Sequence, residues 1–564
     1  KLGVRVHTAK PDRWDPDKFL TALPEKLPEG NDLFTQAAGR EGGAPATAGP
    51  PRINRERVLD TCGSCHARRS ELSKGYQVGD QFLDHFRLEI PNESDIFYID
   101  GQIREEDYEY TSFLSSRMYL VGVRCVHCHE PHTGKIRKQG NDLCLSCHKG
   151  KIDPKTHSKH DITQPGGQCV SCHMPLTTYM QRDPRHDHGF TIPDPLLTKE
   201  AGIPNACNRC HVDKSTDWAL DATERLWGER MNRNTRQRAL ILSRLKRGDH
   251  TAIEPALKRF DDESSPLWRA TTLSLLSPWA ADRRDVADKL AETLTSQSPL
   301  VRSRAARALE PWTSTSAGVL SRSRLERFVS GIAPLIDDPV RAVRVEAAWA
   351  LRLLPPPGAD PAAQPKFWID GTRAETDLQT YLAGAADQPG GLLQRGTYYF
   401  ERGQTAKALE YFRRAVEWNP TAAGYHHSLS VALSASGSPR EAVKAMRRAH
   451  ELEPENGSLA YSLALALAEI ESFEEAEEKL VLATKLTPGF ARAWFNLAQL
   501  RWQEGNLDGA RESITEAERL EPGNPEFLDT HSALLRAQGD DALADEYAER
   551  ARSARERLQR ALNE

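Results

Sequence analysis

Residues 125–148 read CVHCHEPHTGKIRKQGNDLCLSCH and contain the pattern Cys-x-x-Cys-His twice. Two thiols three positions apart can each form a thioether to a vinyl group of one haem, and the His that follows can ligate the iron. The pattern recurs three more times and accounts for all ten cysteines of the chain. The cysteines are Cys62, Cys65, Cys125, Cys128, Cys144, Cys147, Cys169, Cys172, Cys207 and Cys210, and the motif histidines are His66, His129, His148, His173 and His211. The sequence therefore predicts five covalently attached haem c groups.

Zinc knuckles and redox disulfides also use Cys-x-x-Cys pairs. Zinc does not require a His directly after the second Cys, yet all five pairs have one. A redox disulfide would need a thioredoxin-like βαβ context, which the sequence lacks. Bacteria attach haem c outside the cytoplasmic membrane, so we expect an exported protein, periplasmic or extracellular. The sequence starts at Lys1 with no signal segment, as either a processed N-terminus or a fragment would.

Each iron would need a second axial ligand, and histidine is concentrated where one is required. Twelve of the 18 His lie between Cys62 and His211. The predicted distal ligands are His85, His132, His157, His160 and His188, with His127, His186 and His7 in reserve. Met118, Met174 and Met180 are alternatives, although Met more often fills a core. Which His serves which haem stays open.

The five motifs lie within the 150 residues from Cys62 to His211, which leaves about 30 residues per haem. So little protein cannot bury five macrocycles in a conventional core. We therefore expect the haems to pack against one another and to form the core themselves, within electron-tunnelling distance.

The sequence after His211 has no cysteine and changes to a pattern rich in Arg, Ala and Leu. A loose repeat has Pro before a helix and Arg in its first turn. Its copies are Pro266 with Arg269, Pro299 with Arg302, and Pro339 with Arg344. This pattern is typical of HEAT-like helical repeats. A Pro-rich stretch beginning at Pro355 reads as a stiff linker.

The last part of the chain has a regular period of 34 residues. Pro420, Pro454, Pro488 and Pro522 follow this step, as do Ala408, Ala442, Ala476, Ala510 and Ala544. Gly403, Gly437, Gly505 and Gly539 also follow it, and Glu471 interrupts that series once. A helix-turn-helix unit of this length predicts about five tetratricopeptide repeats. Their concave surface would dock a protein partner, or the repeats would only support the rest of the chain.

The 564 residues are too many for one core, so we expect several domains in a mainly α fold. A haem-cored domain with little regular structure would precede an α-solenoid. The expected segments are a loop-rich segment at 1–55, a pentahaem cytochrome domain at 56–216, HEAT-like repeats at 217–354, a linker at 355–388 and tetratricopeptide repeats at 389–558. The formal charge of −5 argues against nucleic-acid binding, and no apolar run is long enough for a transmembrane helix.

Three stretches resemble known cytochromes. Residues 125–148 look like the doubled-CXXCH type, as do Gln168-Cys169-Val-Ser-Cys172-His173-Met174-Pro175 and Pro204-Asn205-Ala-Cys207. The order of segments resembles bacterial multihaem c-type cytochromes with C-terminal tetratricopeptide repeats. The resemblance implies a chain of His/His-ligated haems in or beyond the periplasm, and it implies no substrate. Relatives often have further motifs upstream of the position of Cys62, whereas this sequence has none there.

These features favour an electron carrier whose partners are other redox proteins or copies of itself. A multihaem oxidoreductase acting on a small nitrogen or sulfur compound at one open haem is the alternative, and a haem sensor is a third. An enzyme would need an iron without a distal ligand and a nearby acid or base. Asp100-Gly101-Gln102 and the Tyr108/Tyr110 pair are candidates for such a site, or are turn and packing residues. No catalytic residue is predicted.

Overall fold

The computed structural model describes residues 55–92, 96–105, 108–150, 152–179, 181–314, 322–354 and 369–563. These residues are mainly helical, with two small two-stranded sheets, which confirms the predicted fold class. The predicted N-terminal segment with its reserve ligand His7, the alternative ligand Met180, and residues 355–368 of the predicted linker lie outside the described residues. No helix in the described ranges is both long and apolar enough to cross a bilayer.

Short helices joined by loops carry the five motifs, so this part has little continuous regular structure. The helices are α1 Arg55–His66, α2 Phe82–His85, α3 Glu109–Ser115, α4 Arg117–Leu120, α5 Cys125–Cys128, α6 Asn141–His148, α7 Pro154–Ser158, α8 Cys169–His173, α9 Pro195–Ala201 and α10 Ala206–Cys210. Strands β1 (Arg69–Glu71) and β2 (Phe86–Leu88) pair antiparallel, and so do β3 (Leu176–Tyr179) and β4 (Asp183–His186).

An aromatic cluster forms a small protein core beside the first two motifs. The Phe82 and Tyr110 rings stack with their centroids 5.2 Å apart, and both side chains are buried. Leu267, Ala270 and Leu300 from the helices downstream belong to the same cluster. The prediction that haems alone form the core here is therefore incomplete, because part of the apolar surface is buried against the helical region that follows.

The middle of the chain consists of paired helices, two of which have a Ser side chain as N-cap, Ser215 and Ser265. They are α11 Thr216–Trp227, α12 Asn234–Lys246, α13 Ile253–Asp262, α14 Pro266–Leu276, α15 Arg284–Thr293, α16 Pro299–Ser314, α17 Arg322–Ile332 and α18 Arg341–Leu351. The repeated Arg residues join successive helices: Arg302 Nε lies 2.8 Å from Asp338 Oδ2, and Arg344 Nε lies 2.7 Å from Asp377 Oδ2.

Helix α19, Arg373–Gly384, lies in a stretch that was predicted to be linker. Its Ala374, Leu378 and Leu382 side chains are fully buried against the middle helices. The i, i+4 spacing of these residues places them on one helical face, which explains why the stretch packs instead of remaining extended.

Ten further helices form the repeats with the 34-residue period. They are α20 Pro389–Glu401, α21 Thr405–Trp418, α22 Ala423–Ala435, α23 Pro439–Leu452, α24 Gly457–Glu469, α25 Phe473–Leu486, α26 Ala491–Gln503, α27 Leu507–Leu520, α28 Pro525–Ala537 and α29 Asp541–Asn563. The periodic Ala residues are fully buried between the two helices of each repeat. The periodic Gly positions have positive φ, and Glu471 adopts φ 62° at the corresponding turn.

Buried polar contacts join the motif-bearing segment to the middle helices. Arg304 is almost fully buried and hydrogen-bonds the Leu88 carbonyl. Its guanidinium also pairs with Glu346, whose carboxylate lies 2.8 Å from Arg87 Nε. These contacts fix one face of the motif-bearing segment on α16 and α18.

Candidate functional site

Each Cys-x-x-Cys-His motif lies on a short helix or at its end. Helix α1 ends with the first motif, α6 and α8 end with the third and fourth, and α5 and α10 carry the cysteines of the second and fifth. Residues i and i+3 of a helical turn are neighbours on one face. Both thiols of a motif therefore point to the same side, as attachment to one macrocycle requires. All ten cysteines are free.

Three motif histidines face a second histidine ring. The His129 and His188 ring centroids are 6.3 Å apart with an interplanar angle of 25°. The centroids of His157 and His173 are 6.1 Å apart at 20°. Those of His160 and His211 are 6.2 Å apart at 40°. Each pair joins one motif histidine to one predicted distal ligand.

The separation within each pair fits two imidazoles on opposite sides of one metal. A metal–imidazole nitrogen bond is about 2 Å long, and each ring centre lies about 1 Å beyond its nitrogen. Two collinear ligands thus place their centroids about 6 Å apart. The pairs at 6.1, 6.2 and 6.3 Å therefore have the spacing that a haem iron between two axial histidines demands.

Backbone carbonyl oxygens lie within hydrogen-bond distance of Nδ1 in three of these histidines. His188 Nδ1 lies 2.8 Å from the His186 carbonyl oxygen, and His160 Nδ1 lies 2.6 Å from that of Ser158. His173 Nδ1 lies 2.9 Å from the Thr191 carbonyl oxygen. Because a carbonyl can only accept, Nδ1 carries the proton and the lone pair of Nε2 remains for a metal.

Burial supports the neutral form of two of these rings. Desolvation lowers the pKa of His173 and of His188 below its ordinary value of 6.5. Only neutral imidazole can ligate a metal, so burial and hydrogen bonding favour the same ligating state.

The rings of His66 and His148 lie outside these three pairs. His66 Nδ1 is 3.4 Å from Glu109 Oε2, and the hydrogen bond with Glu109 raises the pKa of His66. Its side chain is 65% exposed. No local sequence signal marks Glu109 as the neighbour of the first motif, since 43 residues separate the two.

The other two predicted distal ligands, His85 and His132, lie away from the three ring pairs. His85 has Nδ1 3.2 Å from Ser73 Oγ and Nε2 3.1 Å from Asp80 Oδ2, so both of its ring nitrogens face polar protein atoms. His132 is exposed, and its backbone N–H donates to Glu130. The structure does not bring either ring into the three pairs described above.

The two reserve histidines have local partners. His127 Nδ1 accepts a hydrogen bond from the Arg124 backbone N–H at 3.0 Å, a capping role at the start of α5. His186 Nδ1 lies 2.6 Å from the Met174 carbonyl oxygen, the arrangement also found for His188.

The donor set does not resemble a zinc knuckle. Among the described residues, no three His, Cys, Asp or Glu side chains converge as a metal-ion site would require.

The residues considered for an enzyme site have structural partners. Gln102 Nε2 donates to Asp100 at 2.7 Å and to the Pro204 carbonyl at 3.2 Å, which closes a turn at Gly101. Tyr110 is buried in the aromatic cluster beside the first motif. These contacts favour turn and packing roles for Asp100, Gln102 and Tyr110.

Comparisons with known families match two parts of the chain. Residues 120–153 match the doubled CXXCH motif, which indicates covalent haem c binding there. Residues 389–422, 428–489 and 473–525 match tetratricopeptide repeats, which indicate docking of protein partners. The predicted combination of haem-binding motifs with tetratricopeptide repeats is thus confirmed in outline.

Solved structures with similarity to the chain include several repeat proteins. MamA from Desulfovibrio magneticus is 18% identical, with 30% of this chain and 96% of that chain covered and a TM-score of 0.29. PilF from Pseudomonas aeruginosa is 25% identical, with 30% and 78% covered and a TM-score of 0.28. YrrB, described as a TPR protein with an unusual peptide-binding site, is 19% identical, with 31% and 91% covered and a TM-score of 0.28. No curated protein sequence matches the chain significantly.

Proposed function

We propose that this chain is an electron-transfer cytochrome that carries five haem c groups, in the periplasm or outside the cell. The family match at residues 120–153 supports haem on the second and third motifs. The other three motifs have the same residues on the same kind of short helix. The three histidine ring pairs are the observation that carries the proposal.

In this proposal the paired histidines ligate three irons. His129 and His188 serve the second motif, His173 and His157 the fourth, and His211 and His160 the fifth. His66 and His148 ligate at the first and third motifs. His132 stays a predicted distal ligand, whereas the polar partners at both ring nitrogens of His85 argue against that role for His85.

The haem iron supplies the ability to take up and release one electron. Each motif would hold one haem through its two cysteines, and the paired histidines would ligate the iron of that haem. The carbonyls of His186, Ser158 and Thr191 hold Nδ1 of the ligands and so fix ring orientation. An iron with two protein ligands has no open position for a substrate, which favours electron transfer over catalysis.

One observation favours the alternative of a multihaem oxidoreductase. The exposed His66 ring has a carboxylate neighbour, Glu109, and lies outside the three ring pairs. An iron there with only one protein ligand would accept a small nitrogen or sulfur compound. This second proposal is restricted to the first motif.

The tetratricopeptide repeats would dock another redox protein or a second copy of the chain. Val431 on α22 and Leu465 on α24 occupy the same repeat position, and their side chains are 41% and 43% exposed. Regularly placed exposed apolar side chains on successive repeats support a docking surface.

Intact-mass spectrometry and ferric spectra of the purified protein test these proposals. We expect five haem increments that survive acid–acetone extraction, and a spectrum dominated by low-spin haem. A bare polypeptide mass would contradict haem attachment. Five haems of which one remains high-spin would support the oxidoreductase alternative, at the first or the third motif.

A further inference from the structure

His157 and His160 are three positions apart in the sequence, yet their rings face two different motif histidines. The His157 ring lies opposite His173, with the centroids 6.1 Å apart, and the His160 ring lies opposite His211 at 6.2 Å. Between them, Lys159 adopts φ 62°, in the left-handed region of the backbone. We propose that Lys159 is a positioning residue, whose backbone turns His160 toward the fifth motif while His157 faces the fourth. This inference rests on the proposed function, because it concerns the axial ligands of haem.

A continuous helix would direct both rings to one side. Residues i and i+3 of an α-helix are neighbours on one face, and histidines one turn apart on a helix typically share a single metal ion. Ligands for two irons therefore require the chain to leave the helical conformation between them. Helix α7 ends at Ser158, and Lys159 follows it with φ 62° and ψ 18°. The left-handed residue thus lies where the two ligands must diverge.

Contacts from two sides hold the backbone of the first ligand, His157. Helix α7 begins at Pro154, and Asp153 Oδ2 accepts a hydrogen bond from the Thr156 backbone N–H at 3.4 Å. The indole N–H of Trp227 donates to the His157 carbonyl at 3.3 Å. Trp227 is the last residue of α11, the helix that follows the fifth motif. The position of His157 is therefore held independently of the turn at residue 159.

The second ligand, His160, is held by contacts that reach back across Lys159. Ser158 Oγ accepts a hydrogen bond from the His160 backbone N–H at 3.2 Å, and the Ser158 carbonyl oxygen lies 2.6 Å from His160 Nδ1. Both contacts need the chain to fold back at the residue between them. Gly166 packs against the same ring, since a Cβ at this position would lie 2.7 Å from His160 Cδ2. The orientation of the His160 ring therefore depends on the turn at Lys159.

Lysine is an unusual residue for this backbone conformation. Gly or Asn usually occupies a left-handed position after a helix, because a Cβ there comes too close to the following carbonyl oxygen. The Lys159 side chain is exposed, and within the part of the chain that the structure describes it forms no ion pair or hydrogen bond. The turn is thus held by backbone contacts on either side of it and not by the lysine side chain. Glycine should therefore preserve the turn, whereas a β-branched residue should oppose it.

Lys159→Val tests the proposal, with Lys159→Gly as the variant that keeps the left-handed backbone. Lys155→Val is the matched control, because Lys155 is also exposed and lies within α7. Intact mass should show five haems in every variant, and ferric EPR with near-infrared spectra then counts the high-spin haems. We expect Lys159→Val to convert one haem of five to high-spin, because His160 would no longer reach its iron. Lys159→Gly and Lys155→Val should leave the spectra of the wild type unchanged.

Two double variants identify the haem that responds. Lys159→Val combined with His160→Ala should still show one high-spin haem, because both changes remove the same ligand. Lys159→Val combined with His157→Ala should show two, because His157 serves another iron. If Lys159→Val yields no folded protein, Lys159→Thr gives the same test with a smaller and polar β-branched side chain.

Unchanged spectra in the β-branched variant would overturn the role of Lys159, and so would equal conversion in Lys159→Gly, which would assign the effect to the lysine side chain. Two high-spin haems in the double variant with His160→Ala would show that Lys159 acts on a different ligand. An intact mass of the wild type without haem would instead contradict the proposed function itself.

Discussion

Histidine position, more than histidine number, distinguishes the residues that can hold an iron. His188 and His85 were equal candidates in the sequence, yet their surroundings differ. His188 has Nδ1 on a carbonyl and its ring opposite His129. His85 has Ser73 at one ring nitrogen and Asp80 at the other. The difference gives a direct test at the scale of single residues.

Replacing His188 by Ala should convert one haem from low-spin to high-spin, because the iron bound to His129 would lose its second axial ligand. The ferric EPR and near-infrared spectra should then show one high-spin haem among five. His85→Ala is the control and should leave the spectra unchanged, since both nitrogens of His85 face other protein groups. If His188→Ala alters nothing, the ring pair with His129 does not mark a ligand pair.

The five Cys-x-x-Cys-His motifs are visible in the sequence because their spacing is itself the chemical requirement for haem attachment. The sequence does not show which histidine rings face one another. His157, His160 and His188 lie in loops and turns, where no periodic pattern indicates which way the chain folds back. The hydrogen bonds of Asn141 to the Gly167 carbonyl and of Arg209 to the Leu176 carbonyl could not be predicted for the same reason, since each joins residues 26 to 33 positions apart.

At the scale of elements, different residues adopt the same left-handed backbone conformation at the turn between the two helices of each repeat. Gly403, Gly437, Gly505 and Gly539 have φ between 73° and 83° at the turn between the helices of a repeat. Glu471 is exposed and adopts φ 62° at the same turn. An L-residue with a side chain pays a steric penalty in this region, so the turn before α25 is the strained one.

Glu471→Gly should stabilise the repeats by about 0.5–1 kcal/mol, the relief of the left-handed backbone less the greater entropy of Gly in the unfolded chain. The urea midpoint of the repeat transition, followed by circular dichroism, should rise. The matched control Gly437→Ala, at φ 78°, should lower stability by about 1 kcal/mol. A lower midpoint for Glu471→Gly would show that the Glu side chain makes a compensating contact.

The 34-residue period predicted the helices of the repeats well, because each unit must bury the same Ala positions. Helix α19 was assigned to a linker because of the neighbouring Pro residues. The spacing of Ala374, Leu378 and Leu382 was a visible signal that would have found it.

At the scale of the whole chain, the contacts around Glu346 join segments that are far apart in sequence. Burial alone would raise the pKa of Glu346, but the charges of Arg307, Arg87 and Arg304 outweigh it and hold the pKa below its ordinary value of 4.5. No local pattern predicts this cluster, because it exists only once the motif-bearing segment lies on α16 and α18.

Arg304→Met should destabilise the protein by about 2–4 kcal/mol, because it removes a buried charge partner and leaves the Leu88 carbonyl unsatisfied. Arg307→Met is the control. The Arg307 side chain is 38% exposed and lies 3.4 Å from the same carboxylate, so the cost should stay below about 1 kcal/mol. Urea unfolding of both variants measures the difference, and equal losses would contradict the role assigned to Arg304.

Acid should weaken the ion pairs between Glu346 and the arginines around it. Since the folded-state pKa of Glu346 is lowered, its contribution is complete above the unfolded value of about 4.5 and is lost as pH falls through the folded-state pKa. The stability difference between the wild type and Glu346→Gln should therefore shrink as pH falls below 4.5. A difference that stays constant down to pH 3 would show that the pKa of Glu346 is not lowered in the folded protein.

Because these contacts join residues far apart in the sequence, they also set the order in which parts of the chain can pack together. Arg304 and Leu88 are 216 residues apart, and the backbone N–H of Arg341 reaches Asp84 across 257. A chain that emerges N-terminus first presents its thiols long before the helices that cover one face of their segment. If the motifs carry haem as proposed, this chain order would leave the cysteines accessible to an attachment enzyme before the covering helices pack.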